Sequence, residues 1–172
     1  MFFELFPTVD YTNVGQTTSK TVTNIMRRVG VRQAIKENLT VFTRHTIRSG
    51  ETPESIAFDF YGDAELHWII LLTNDIYDRY HQWPMNVNQF QAYVNEKYSD
   101  PFAVHHYEIT QTSGDTTIKI DIGQDNTDHG SATAVTNFEY EESRQDDLRQ
   151  IWLVDPAHVN QFVSDFARLM EE

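Results

Sequence analysis

Between Leu39 and Thr73 the apolar pattern changes period at Ser49-Gly50, and that break constrains the fold more than any other feature. Leu39 to Ile47 alternates β-branched and aromatic residues (Val41, Phe42, Thr43, Thr46, Ile47), the spacing of a strand, and Ser49-Gly50 stops it. Thr52-Pro53-Glu54 then carries three agreeing helix-start signals. Thr52 can cap orphan amides, Pro53 lacks the N–H that the first turn leaves unused, and Glu54 complements the positive helix end. Ile56, Ala57, Phe60 and Tyr61 form one apolar stripe, and Gly62-Asp63 ends the helix and caps the next. That second helix, Ala64 to Thr73, holds Leu66, Trp68, Ile69, Leu71 and Leu72 on more than one side, which predicts the most buried helix of the chain. The expected core of this strand-helix-helix unit is Ile56, Ala57, Phe60, Tyr61, Leu66, Trp68, Ile69 and Leu72, and the fold class is α+β.

The flanks are of other kinds. Thr8 to Thr23 is rich in Thr, Ser, Asn and Gly without apolar periodicity, the pattern of an extended arm or loop. Asn24 is positioned to cap a short helix carrying Ile25, Met26 and Val29 and ended by Gly30. Asn86, with Gln89 in a capping box, starts a helix to about Tyr98 whose stripe is Val87, Phe90, Val94 and Tyr98. His106–Thr112 and Thr116–Ile122 alternate around Ser113-Gly114-Asp115, predicting a β-hairpin, and Gly123–Thr136 reads as a polar loop. The mixed charges from Glu139 to Arg149 predict a solvated helix. Ile151–Val154 is a short strand candidate, and Asp155-Pro156 opens a final amphipathic helix with Val159, Phe162, Val163, Phe166, Leu169 and Met170 on one face. Burying four of these contributes on the order of 6–12 kcal/mol before entropy is subtracted, so the helix must dock. Three segments of one compact unit are expected: 1–38 as arm and short helix, 39–100 as core with its following helix, and 101–172 as hairpin, acidic loop and docking helix.

Composition excludes several functions. A net charge of −13 with 13 Lys and Arg leaves no basic stripe for phosphates; the densest pair is Arg27-Arg28. With no cysteine, disulfides and thiolate metal sites are ruled out. The longest apolar run, Trp68–Leu72, falls far short of the roughly 18 residues of a membrane span, and Met1–Pro7 lacks the basic region of a signal peptide. The expectation is a soluble intracellular product that binds neither nucleic acid nor membrane.

The candidate chemistry is sparse. His106 and Glu108 share one face of a strand and His105 takes the other, so only two ligands meet; a strand edge with solvated side chains is the simpler reading. Asp121, Asp125 and Asp128 lack calcium-loop spacing and suit a solvated acidic loop. Glu51 and Glu54 flank a helix start, where acids are favoured without any glycoside-cleaving role. No nucleophile elbow, phosphate loop or zinc-protease motif occurs, so neither an enzyme nor a cofactor is expected.

Thr46-Ile47-Arg48-Ser49-Gly50-Glu51-Thr52-Pro53-Glu54-Ser55-Ile56-Ala57 resembles the opening of a LysM module, although no closing strand with its Gly-Gln-x-Leu pattern follows Asn74. A broader likeness runs through Phe6-Pro7-Thr8-Val9-Asp10-Tyr11, Thr23-Asn24-Ile25, Tyr61-Gly62-Asp63, His67-Trp68-Ile69-Ile70-Leu71, Asn74-Asp75-Ile76-Tyr77-Asp78, Trp83-Pro84 and Arg149-Gln150-Ile151. These segments are similar to the baseplate wedge protein 53 family of T-even-like contractile-tailed phages. The resemblance implies a LysM-like core in a structural wedge subunit of the virion tail baseplate, assembled in the host cytoplasm. It also implies contacts to other wedge subunits and the hub, with one copy per wedge. A LysM-type binder of peptidoglycan or chitin is the alternative. Aromatic segments outside the core point independently to partner surfaces. The candidates are Phe2, Phe3, Phe6, Tyr77, Tyr80 and Trp83, with Phe162 and Phe166 on the docking helix.

Overall fold

The computed structural model describes residues 2–15, 17–31, 41–111 and 118–171. A 3-10 turn at Phe2–Leu5 precedes β1 (Thr8–Tyr11) and β2 (Lys20–Thr23); then come β3 (Phe42–Thr46), α1 (Pro53–Tyr61), a 3-10 turn at Ala64–Leu66, and α2 (His67–Thr73). α3 (Arg79–Gln82), α4 (Val87–Lys97), β4 (Val104–Thr110), β5 (Lys119–Asp121), β6 (Thr133–Thr136) and α5 (Asn137–Arg149) follow. β7 (Gln150–Val154), a 3-10 turn at Pro156–His158 and α6 (Val159–Glu171) complete the chain. The class is α+β. Two compact units form: Met1–Trp83 with Gln150–Glu172, and Pro84–Arg149.

In the first unit β3 pairs antiparallel with β7, from Phe42 opposite Val154 to Thr46 opposite Gln150. The Ile151–Val154 candidate is thus the strand beside β3, and the unit runs β3-α1-α2-β7 in topology. β7 is buried on both faces. Ile151 and Leu153 join Ile47, Ile56, Ala57 and Ile70 in one cluster, while Val154 joins Phe42, Trp68, Ile69, Val159, Phe166 and Met170 in the other. α2 feeds both clusters from three successive residues, Trp68, Ile69 and Ile70, as expected of a helix apolar on more than one side. Of the expected core, Ile56, Ala57, Trp68 and Ile69 are buried; Phe60, Tyr61, Leu66 and Leu72 are half-buried and pack on the clusters.

β7 has an outer edge to satisfy. The Asp155 amide reaches the Val41 carbonyl across the β3 side at 2.8 Å, so the even-numbered amides face away. Asn74 meets them: its Oδ1 accepts the Trp152 amide at 2.8 Å, and its Nδ2 donates to the Trp152 carbonyl at 2.8 Å and to the Ile70 carbonyl at 2.8 Å. Tyr61 Oη accepts the Val154 amide at 3.1 Å, and burial pushes its hydroxyl up to about 12. Two helix-borne side chains thus stand where a third strand would, which also closes an edge to stray pairing.

Local signals decide the element starts. Thr52 caps α1 by accepting the Ser55 amide, and Ser55 returns a bond to the Thr52 amide. Asn86 and Gln89 form the expected box on α4. Gly62 ends α1 at φ 77°, a left-handed conformation that costs glycine little.

The Thr8–Thr23 segment is extended and lies outside the core as expected, with the added detail that it pairs on itself, Thr8 opposite Thr23 to Tyr11 opposite Lys20. Other expectations are corrected. The described residues 24–31 form no helix. The Asn24 side chain accepts the Met26 amide in a turn, and Ile25 and Met26 are exposed. The stretch from Leu39 to Thr40 lies outside the described residues, as does the Ser113-Gly114-Asp115 turn of the predicted hairpin.

In the second unit β4 is the central strand between β5 and β6, so the Gly123–Thr136 loop ends in an unforeseen strand. α5 is not merely solvated. Glu141 is 2% exposed and Gln145 6%. Glu141 accepts Lys97 Nζ at 2.7 Å and Tyr98 Oη at 2.8 Å, while Gln145 accepts the Met85 amide at 2.9 Å. Burial pushes the Glu141 carboxyl up, but the Lys97 and Tyr98 bonds outweigh it and hold the group below its usual 4.5. A depressed carboxylate contributes stability that is present above its unfolded value and lost as pH falls through its folded one. Denaturation of the protein is therefore expected to become easier on acidification below pH 4.5. Glu141→Gln should flatten that acid limb, measured as urea midpoints across pH; an unchanged limb would remove Glu141 from the account.

Candidate functional site

The amino-terminal aromatics divide between core and surface. In the Phe2–Leu5 turn, the Phe2 ring lies 5.1 Å from Trp68 and 5.7 Å from Phe166, so Phe2 tethers the chain end to the first cluster. Phe6 stands edge-on to Phe2 at 4.9 Å and is half-buried. Phe3 turns outward, 59% exposed.

The path from Asn74 to Trp83 is set by the end of α2. The Ile76 amide bonds the Leu71 carbonyl at 2.9 Å and the Asp75 amide approaches the Leu72 carbonyl at 3.4 Å, a Schellman closure with Asp75 at φ 55°. Beyond it, Gln82 Oε1 accepts the amides of Tyr77 and Asp78, each at 2.8 Å, and Asp78 caps α3. Arg79 grips Glu54 through two bonds of 2.5 and 2.9 Å. This frame presents Tyr77 at 75% exposure and Tyr80 at 89%. Trp83 folds back instead: its indole N–H donates to the Glu51 carbonyl at 2.9 Å and its ring packs on the second cluster. Phe162 is half-buried and Phe166 is a core residue, in ring contact with Trp68 at 4.8 Å. Of the candidate contact aromatics, Phe3, Tyr77 and Tyr80 are turned outward; Phe166 and Trp83 spend their surface on internal packing.

Among the described residues of this unit, two grooves bear on these aromatics. One, about 440 Å³, is lined by Val31, Val41, Phe162 and Leu169 with Gln161 and Asp165. The other, about 570 Å³, has Trp68, Leu71 and Ile76 in its lining together with Phe3, Tyr77 and Arg27-Arg28. The basic pair could be found in the sequence as the chain's one Arg-Arg dipeptide; its placement beside aromatics could not.

The polar clusters have structural work. Glu51 accepts the Arg48 amide at 2.8 Å and lies 3.2 Å from His45 Nε2. Burial raises both Glu51 and Glu54, yet the hydrogen bonds and neighbouring charges bring each net below its usual value. An acid/base pair needs its two values pushed apart, and here both move the same way. Asp121 and Asp125 bond the amides of Gly123 and Thr127, tying turns.

His105 and His106 do not fall on opposite faces as expected. A register shift between Val104 and His106 breaks the alternation, and their Nδ1 atoms meet at 2.9 Å. His106 is buried on the central strand with Nε2 3.3 Å from Glu108, and His105 stacks on Tyr140 at 3.9 Å, so the solvated-edge reading is replaced by an internal polar cluster. Among the described residues no group of three or more His, Asp or Glu is placed to hold a metal ion, and no helix is long and apolar enough to cross a membrane.

Comparison with known proteins gives one sustained match. The family profile described as "Base plate wedge protein 53" matches residues 1–108. The chain is 26% identical over 195 aligned residues to the baseplate wedge protein gp53 of enterobacteria phage T4, covering 100% of this chain and 97% of that one. An esterase of Mycobacterium tuberculosis, Rv1288, is 49% identical over only 37 residues, 22% of this chain and 8% of the esterase. A match of that extent transfers no esterase activity.

Proposed function

Since the chain belongs to the base plate wedge protein 53 family, a group of bacteriophage virion structural proteins, we propose that it joins wedge subunits to one another and to neighbouring wedges around the baseplate hub. The observation that carries this reading is the end-to-end match to a baseplate wedge protein. Its residues act as scaffold and contact surface and not as catalyst. Phe3, Tyr77 and Tyr80 are the outward aromatics suited to partner contact, because large flat side chains give much contact area at low entropic cost. The protein acts in the tail baseplate as one copy per wedge and assembles in the host cytoplasm. A LysM-like core is part of the proposal. The antiparallel β3/β7 pair enclosing α1 and α2 supports it, with β7 as the closing strand contributed from far along the chain.

Co-expression with the other wedge subunits of the same phage tests this. A stable complex on gel filtration is expected. A folded protein that co-elutes with none of them would overturn the joining role. Retention on purified cell-wall sacculi, competed by N-acetylglucosamine oligomers, would overturn the purely structural reading.

A further inference from the structure

The 570 Å³ groove of the first unit combines an apolar floor with a basic rim. Its floor is apolar, from Trp68, Leu71 and Ile76, and its rim carries large exposed hydrophobics: Phe3 at 59%, Ile25 at 65% and Tyr77 at 75%. Beside them stand Arg27, half-buried, and Arg28, exposed. Neither arginine has an ion-pair partner among the described residues, whereas Arg79, Arg144, Arg149 and Arg168 each have one. In a chain of net charge −13 this is a local reversal of sign. It attracts carboxylates at a place the remaining surface would repel them from.

The surface continues beyond the groove. Phe6 and Ile25 bound the base of the β1/β2 ribbon, where the Asn24 amide closes on the Pro7 carbonyl at 2.8 Å. The ribbon itself is open to solvent on both faces, with Val9 and Tyr11 exposed. A two-stranded ribbon of that kind is marginally stable alone. Groove and ribbon meet at Phe6 and Ile25.

We propose that this groove binds an acidic segment of another baseplate subunit, one that inserts an apolar side chain between Phe3 and Tyr77 and sets carboxylates against Arg27 and Arg28. The proposal rests on the wedge-joining reading and names the chemistry of one of its contacts. Aromatic anchors supply the affinity, and the arginines supply orientation and the rate of encounter.

The full-length protein, co-expressed with the wedge subunits of its phage, is the material for the test. Wild type is expected to form a complex that weakens with added salt. The double variant Arg27→Glu/Arg28→Glu, and separately Tyr77→Ser, should weaken it more than about tenfold with unchanged circular dichroism and melting. Phe58→Ser, an exposed aromatic on α1 outside the groove lining, should leave the complex intact. If wild type forms no complex, the wedge-joining reading itself fails. If wild type assembles and the folded groove variants assemble equally well, the groove proposal alone is overturned. Self-association of the isolated wild type that the charge reversal abolishes would identify a second copy as occupant and overturn it too.

Discussion

Replacing Asn74 with alanine is expected to destabilise the protein by about 3 kcal/mol, because the change orphans both the amide and the carbonyl of Trp152. At ~2–4 °C per kcal/mol for a chain of this size, the melting temperature should fall by about 10 °C. The asymmetry of hydrogen bonding is the reason. A satisfied bond contributes modestly, while a backbone group left without a partner near the core loses water and gains nothing. Asn74→Asp makes the sharper variant. It keeps an acceptor for the Trp152 amide but sets a carboxylate against the Trp152 carbonyl, so it should be no better than alanine. Differential scanning of the three proteins would show it. A melting temperature for Asn74→Ala within error of wild type would mean that water takes over the carboxamide's role.

Phe166→Ala should cost about 3–5 kcal/mol, as for other large aromatics removed from a core. Its ring contacts Phe2, Phe6 and Trp68, so the loss reaches the amino-terminal turn and α2 together. Tyr80→Ala, at a site 89% exposed, is expected to stay within about 0.5 kcal/mol. Urea denaturation of both, combined with the co-expression assay, separates the two roles. Phe166→Ala should lose stability first, whereas any defect of Tyr80→Ala should appear only in assembly. A Phe166→Ala protein of normal stability that fails to assemble would move this residue from core to contact surface.

What was legible in the sequence was local. Thr52, Pro53, Asn86 and Gln89 act within four residues of themselves, so their caps could be read from spacing alone. The pairing within Thr8–Thr23 was missed because a strand shows period two only when one face is buried, and here nearly every residue is exposed. Ile25 and Met26 suggested a helix through their apolarity, but one short turn lacks the length to offset helix nucleation. Glu141 looked like a solvated charge. Its burial depends on Lys97 and Tyr98, 44 and 43 positions away, and no spacing rule reaches that far. The same distance hid the closing strand: Ile151–Val154 was recognisable as a strand, while its partner in β3 lies across more than half the chain. Among the aromatic candidates, composition could say that some face partners. Only packing distinguishes Tyr77 and Tyr80 from Trp83 and Phe166.

The clamp between Asn74 and β7 also fixes an order of events during synthesis. Trp152 emerges 78 positions after Asn74, and at ~5–20 residues per second that is a delay of about 4–16 s. Throughout it α1 and α2 are complete, yet β3 has no strand beside it and the carboxamide of Asn74 has no backbone to hold. The nascent chain carries a half-built layer with an open edge until its last quarter is translated. Until then the edge is free to pair with a neighbouring chain on the same message.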